Sequence, residues 1–247
     1  MLVTIFFPIF ALCMEKVRAI VLRTVRYNDR KLIVDLYTDI HGRMACVMPL
    51  KCRLIPLNII DMETEYHPSH CLQTVKSLMS ISHAYVLQEI RFNPVKSAIA
   101  LFLAEFLNNI LKEEVANQDL FDYLSTSIRI LDKSQRGTAN FHITFMMRLT
   151  RLMGICPNLD GKDDTAYFDL ADGNYTQAIP PHRHFLMPDE ARVLPWLFRM
   201  DFRNMHLFRL SHTQRNRCLG ILTEYYRLHL FNFGELKSHD VLQGMFD

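Results

Sequence analysis

The chain lacks most of the patterns that announce catalysis. No GxGxxG or Walker phosphate loop, no GxSxG nucleophile elbow and no HExxH zinc motif occurs in its 247 residues, and its acids are scattered rather than paired. Nucleotide-driven, serine-hydrolase and zinc-peptidase chemistries therefore find no support in motif content. The cysteines at 13, 46, 52, 71, 156 and 218 form no CxxC pair and no regular framework, which suits free thiols in a reducing compartment. The apolar opening, Met1 to Cys13, is too short to span a bilayer and lacks the basic segment of a secretory signal. It reads either as a weak interfacial anchor or, the favoured alternative, as an upstream-start extension outside the fold, because Met14 offers an equally good start. A cytoplasmic protein without a membrane partner is expected.

What is present is an ample supply of core residues, 49% of the chain, which argues against disorder. Residues 17–48 hold three strand-like runs punctuated by Asn28-Asp29 and His41-Gly42. The first alternates strictly, placing Arg18 on one face and Arg23 on the other. The formal net charge of +2 hides an asymmetry: Met14 to Ile55 carries nine Lys/Arg against four acids, a local +5 that leaves −3 for the rest. Such a run reads equally well as a solvated face or a polyanion site, and fold context must decide. Two further runs, 57–66 and 72–81, bring the strands to five in about seventy residues, which fits an OB barrel better than a sandwich.

At Asn93-Pro94 the period changes. Asn93 is a good N-cap and Pro94 a good first helical residue, and Val95, Ala98, Ile99, Phe102, Phe106 and Ile110 recur at helical spacing. The apolar positions nearly encircle this helix, as expected of a central one. Further helices are expected over 120–132, 140–153, 192–198, 213–230 and 238–246. Between them, 156–187 is an irregular insertion in which Asp172-Gly173 marks a two-stranded ribbon. The fold class is thus α+β: an extension (1–13), a five-stranded OB-fold domain (14–84) and an all-α domain (85–247) with a small hairpin insertion. Trp196, Tyr225 and Tyr226 read as core.

Cys156 with His182 and His184 is the best metal candidate, and it supports a metal-dependent hydrolase only weakly, since one thiolate and an HxH pair lack the paired spacing of a structural zinc site. No metal and no cofactor are expected. His142 and the remaining histidines read as surface or satisfied groups.

Several separated segments resemble one family, the bacterial recombination mediator RecO in its Bacteroidetes-like form. They are Ala19-Ile20-Val21-Leu22-Arg23 leading to Tyr27; Tyr37-Thr38 with His41-Gly42-Arg43; Phe92-Asn93-Pro94-Val95-Lys96-Ser97-Ala98; and Tyr225-Tyr226-Arg227-Leu228-His229-Leu230 followed by Phe233-Gly234-Glu235-Leu236-Lys237-Ser238. The resemblance covers the chain from Met14 onward. It implies a non-catalytic mediator that binds single- and double-stranded DNA through its OB fold, promotes strand annealing, associates with RecR, engages the acidic-hydrophobic tail of the single-stranded DNA-binding protein and helps RecA load. Many relatives carry four zinc-binding cysteines in the insertion; this chain keeps only Cys156 there. The segment 49–56 is also shorter than the basic loop that often follows the third strand in relatives.

Phosphate contact is assigned to Arg23, Arg26, Arg30, Lys31, Arg43, Lys51 and Arg53. Tyr27 and Tyr37 are either base-stacking partners or barrel core. Arg148 and Arg151 are a guessed peptide site, and six arginines between 199 and 227 offer an apolar groove with a cationic rim. The alternative to DNA binding is an interaction scaffold whose degenerate barrel has lost it.

Overall fold

A computed structural model describes residues 14–81, 87–113 and 115–244, with the side chains of 79–81 and 243 left aside. The proposed extension, 1–13, lies outside the described residues. Two compact units are present: residues up to 81 together with 113, 115 and 116, and residues 87–112 together with 117–244.

The first unit is a closed five-stranded barrel in the order β1-β2-β3-β5-β4, comprising β1 (Met14–Arg26), β2 (Lys31–Thr38), β3 (Gly42–Pro49), β4 (Ile59–Glu65) and β5 (Gln73–Ile81). Closure needs one long, bent strand. β1 supplies it, pairing with β4 through Met14–Ile20 and with β2 through Ala19–Arg26, while a parallel pairing of β3 with β5 shuts the other seam. Val17, Ala19, Val21, Val34, Leu36, Met44, Cys46, Met48, Ile60 and Met62 fill the interior. This is the OB arrangement expected from the alternating runs.

Strict alternation fails in β1. The β1–β2 register slips between Val21 and Arg23, so Arg23 lies opposite Asp35, on the outer surface with Arg18, and not on the face opposite to it. An extra residue at Leu22 resets the pleat, as a β-bulge does. At the β2–β3 turn, Gly42 has φ +66°, and a Cβ there would lie 2.5 Å from the Val115 carbonyl oxygen, so glycine is required. The Arg43 N–H donates to the Glu113 carbonyl at 3.0 Å, tying Glu113 to the barrel.

The second unit contains α1 (Gln88–Phe92), α2 (Pro94–Ile110), α3 (Gln118–Lys133), α4 (Phe141–Leu152), α5 (Pro188–Ala191), α6 (Leu194–Arg199), α7 (His212–His229) and α8 (Ser238–Gly244). The Asn93 side chain accepts from the Lys96 N–H at 3.2 Å, and Pro94 takes the first position of α2, as the sequence predicts. Phe102, Phe106, Phe121, Phe141, Phe145 and Tyr226 are fully buried in this unit. Phe106 meets Tyr226 edge to face at 4.9 Å, and the Tyr226 hydroxyl donates to the Met146 carbonyl at 2.8 Å. Lys96 is buried, with Nζ donating at 2.7 Å to the Asp132 carbonyl in the last turn of α3, where the helix dipole favours a cation.

The insertion holds three strands, not two: β6 (Tyr167–Asp169) pairs with β7 (Asn174–Thr176) and also with β8 (Phe185–Leu186). Asp169 Oδ1 accepts from the Ala171 and Asp172 N–H groups, and Gly173 follows at φ +71°. β8 escaped sequence reading because two residues carry no periodicity. Tyr225 and Tyr226 are core, but Trp196 is 64% exposed, contrary to the core assignment.

Candidate nucleic-acid interface

Two connections meet at one end of the barrel, the β1–β2 hairpin and the segment between β3 and β4. The β1–β2 hairpin is shaped by Asn28, whose Oδ1 accepts from the N–H groups of Arg30 and Lys31 at 2.9 Å each, and by the Tyr27 N–H donating to the Lys31 carbonyl at 3.0 Å. After β3 the chain enters a 3₁₀ turn, Leu50–Cys52, whose Leu50 N–H donates to the Arg30 carbonyl at 2.9 Å. Arg53 ends that turn in a left-handed conformation at φ 47°. These bonds bring Lys51 and Arg53, some twenty residues on in sequence, to the hairpin that carries Arg26, Arg30 and Lys31.

All five cations are exposed. Arg26 donates to Asp29 at 2.8 Å, but both side chains are open to solvent, where such a pair is worth roughly 0–1 kcal/mol and is screened by salt. Tyr27 is 63% exposed beside them, whereas Tyr37 is buried, so the two aromatic candidates separate cleanly.

Arg23 and Arg43 stand apart from this group. Arg23 is exposed on the outer face of β1, opposite Asp35. Arg43 lies at the far end of β3, half-buried, with Nη2 3.7 Å from Asp35 Oδ2. Between them the outer β2–β3 face shows partly exposed Ile33, Ala45 and Val47, an apolar floor with one carboxylate that two arginines flank.

In the helical unit, Arg148 lies 3.6 Å from Asp201, and the Arg151 guanidinium sits 4.2 Å above the Phe198 ring. The guessed peptide residues are therefore engaged within their own unit. A groove of about 730 Å³ runs along α6 instead, with Trp196, Leu207 and Phe208 in its walls and Arg192, Arg199 and Arg209 on it. Its two most exposed apolar residues, Trp196 and Leu207, sit in short or 3₁₀ segments with no readable periodicity, so no pattern in the chain pointed to their exposure.

Burial drives the pKa of His142 down to about 3, assisted by the charges of Arg215 and His239. It is a neutral core group at ordinary pH, so of the two sequence readings, surface or satisfied, the surface one does not hold. Burial likewise pushes the thiol of Cys46 up to about 12 and that of Cys218 to about 11. These two thiols are packing groups rather than nucleophiles. His182 pairs with Asp169 at 3.2 Å and His184 with Glu224 at 2.8 Å, and no group of three or more His, Cys, Asp or Glu able to hold a metal occurs among the described residues. The trio Cys156, His182 and His184 is not gathered as a ligand set. No helix among the described residues is long and apolar enough to cross a membrane.

Residues 91–239 match the family model described as Recombination protein O C terminal. The chain is 43% identical to the DNA repair protein RecO of Bacteroides fragilis over 244 residues, covering 95% of this chain and all of the relative. The chain belongs to the RecO family. The RecO protein of Phocaeicola vulgatus is 41% identical over 94% of this chain and 99% of its own length, and that of Porphyromonas gingivalis 35% identical over 93% and 98%. Because coverage runs through both units, the family resemblance carried by the barrel segments and by the C-terminal signature belongs to one continuous similarity.

Proposed function

We propose that the protein is a non-catalytic mediator of recombinational DNA repair, binding single- and double-stranded DNA across the hairpin end and outer face of the OB barrel. The observation that carries this reading is the meeting of Arg26, Arg30, Lys31, Lys51 and Arg53 from two connections, with exposed Tyr27 among them. Cations held on rigid turns but unburied can neutralise phosphates with release of counterions, and annealing needs screening of interstrand repulsion rather than a covalent step. Arg23 extends the cationic track along the outer face; Arg43, tied to Asp35, contributes less.

The names of the relatives place them in DNA repair, and that role is carried over here as part of the proposal. RecR association, RecA loading and location at the nucleoid in the cytoplasm follow from the family resemblance. For the acidic-hydrophobic tail of the single-stranded DNA-binding protein, the groove along α6 offers exposed Trp196 and Leu207 with three arginines, a better match than Arg148 and Arg151.

A fluorescent oligonucleotide titrated at low and moderate salt, followed by annealing of complementary strands coated with cognate single-stranded DNA-binding protein, tests the proposal. Steeply salt-dependent binding and accelerated annealing are expected. Binding that is weak at low salt would favour the scaffold alternative.

A further inference from the structure

The β4–β5 connection, residues 66–72, lies at the other end of the β2–β3 face from the cationic hairpin, since β1 begins opposite the end of β4 and β5 begins beside Cys46 in mid-β3. Buried Gln73 holds it from beneath. The Gln73 side-chain oxygen accepts from the His67 N–H at 3.0 Å, and its amide donates to the carbonyls of His67 and His70 at 2.8 and 2.7 Å. The His70 N–H closes the turn on the His67 carbonyl at 3.0 Å. This clamp leaves the His67 and His70 rings 4.7 Å apart at an interplanar angle of 37°. Immediately before them, Tyr66 stacks on His41 of the β2–β3 turn at 3.7 Å and 14°, with His41 Nε2 2.6 Å from Glu15 Oε2. Four rings from two turns thus gather at one edge of the face, and His70 is exposed.

We propose that His67 and His70, backed by the Tyr66–His41 stack, form a base-stacking platform for single-stranded DNA. The inference rests on the DNA-binding reading above and adds a division of labour, with phosphates at the hairpin and bases at this loop. Flat π-faces stack any base, so the platform is sequence-tolerant, and the connection between strands 4 and 5 is a ligand-binding loop of the OB fold. Lys31–Thr38 advances about 23 Å at roughly 3.3 Å per residue, enough for a few nucleotides between hairpin and platform, within OB site sizes of about 4–16 nucleotides. Bases in a duplex are already stacked on one another, so this platform favours the single strand.

The test uses the full chain and its His67→Ala/His70→Ala double variant, titrated over a salt series with fluorescent oligothymidylate, an abasic strand of the same length and a duplex. Expected is about tenfold weaker binding of oligothymidylate, unchanged binding of the abasic strand and duplex, and an unchanged salt slope. A His67→Phe/His70→Phe variant, which keeps the rings, should restore oligothymidylate binding. Should the parent bind none of the three probes, the DNA-binding reading itself falls. Should the parent bind while the alanine variant matches it on oligothymidylate, weakens all three probes alike or fails to be rescued by phenylalanine, the platform is overturned and the DNA reading stands.

Discussion

At the hairpin end of the barrel Arg30, Lys31, Lys51 and Arg53 are exposed and joined by no ion pair among the described residues, while Arg26 leans on one exposed carboxylate. In the helical unit Arg148 faces Asp201, Arg192 lies near Asp164 and Asp189, and Arg217 reaches Glu190 at 2.6 Å. The same residue type therefore serves two ends. These three helical-unit arginines are spent on ion pairs within their unit, whereas the hairpin-end cations are placed by backbone hydrogen bonds that leave most of their charge uncommitted. A local charge imbalance in sequence becomes informative only once it is known which charges the fold has already used.

The sharpest contrast is between packing and charge. Phe106→Ala should remove about 3–5 kcal/mol of stability, read by denaturant unfolding, because it opens a cavity against Tyr226, Phe102 and Phe233. Oligonucleotide affinity of the folded fraction should stay at the parent value; a parallel loss would break the separation of roles.

The pH response separates the units next. His142 titrates in the fold at about 3 against an ordinary 6.5, so the unfolded chain binds the proton first. The associated stability is complete above about 6.5 and lost as pH falls, at up to roughly 1.4 kcal/mol per pH unit. Chemical denaturation between pH 7 and 5 should show this slope, and His142→Phe should flatten it. An equal slope in the variant would remove His142 as the cause.

Within the barrel, Arg30→Ala or Lys51→Ala should each weaken single-strand binding several-fold, while Arg43→Ala, whose charge is shared with Asp35, should weaken it less. Equal effects at all three positions would mean that DNA contacts the far end of β3 as closely as the hairpin. Smallest of all, Arg148→Ala should change stability by no more than about 1 kcal/mol, since both partners are about one-third exposed. Thermal unfolding checks it.

Much of this was legible in the sequence. Five alternating runs pointed to the barrel, and Asn93-Pro94 to the start of α2, because periodicity and caps are local properties. The bulge that moves Arg23 to the outer face was not legible, since it depends on the partner strand's register. Exposure of Trp196 was missed, and burial of His142 left undecided, for a related reason: an aromatic or an imidazole takes its environment from residues distant in sequence. The grouping of Lys51 and Arg53 with Arg26, Arg30 and Lys31 depends on the β2–β3 register, which sets Lys31 opposite Pro49, and on the Leu50 to Arg30 backbone bond, neither of which composition reveals. Glu105 shows the same dependence. Burial raises its pKa, but hydrogen bonds from Ser238 and Lys237, more than a hundred positions away, prevail and lower it.

The hairpin-end cations hold DNA, on the reading proposed above, through its phosphates. The most direct test is the slope of log Kd against log salt for a fluorescent single strand, comparing the parent with a variant in which Arg26, Arg30, Lys31, Lys51 and Arg53 are all alanine. Weaker binding is predicted, with a slope shallower by about 0.7 for each phosphate that the variant no longer neutralises. Identical affinity and slope in the two proteins would contradict it.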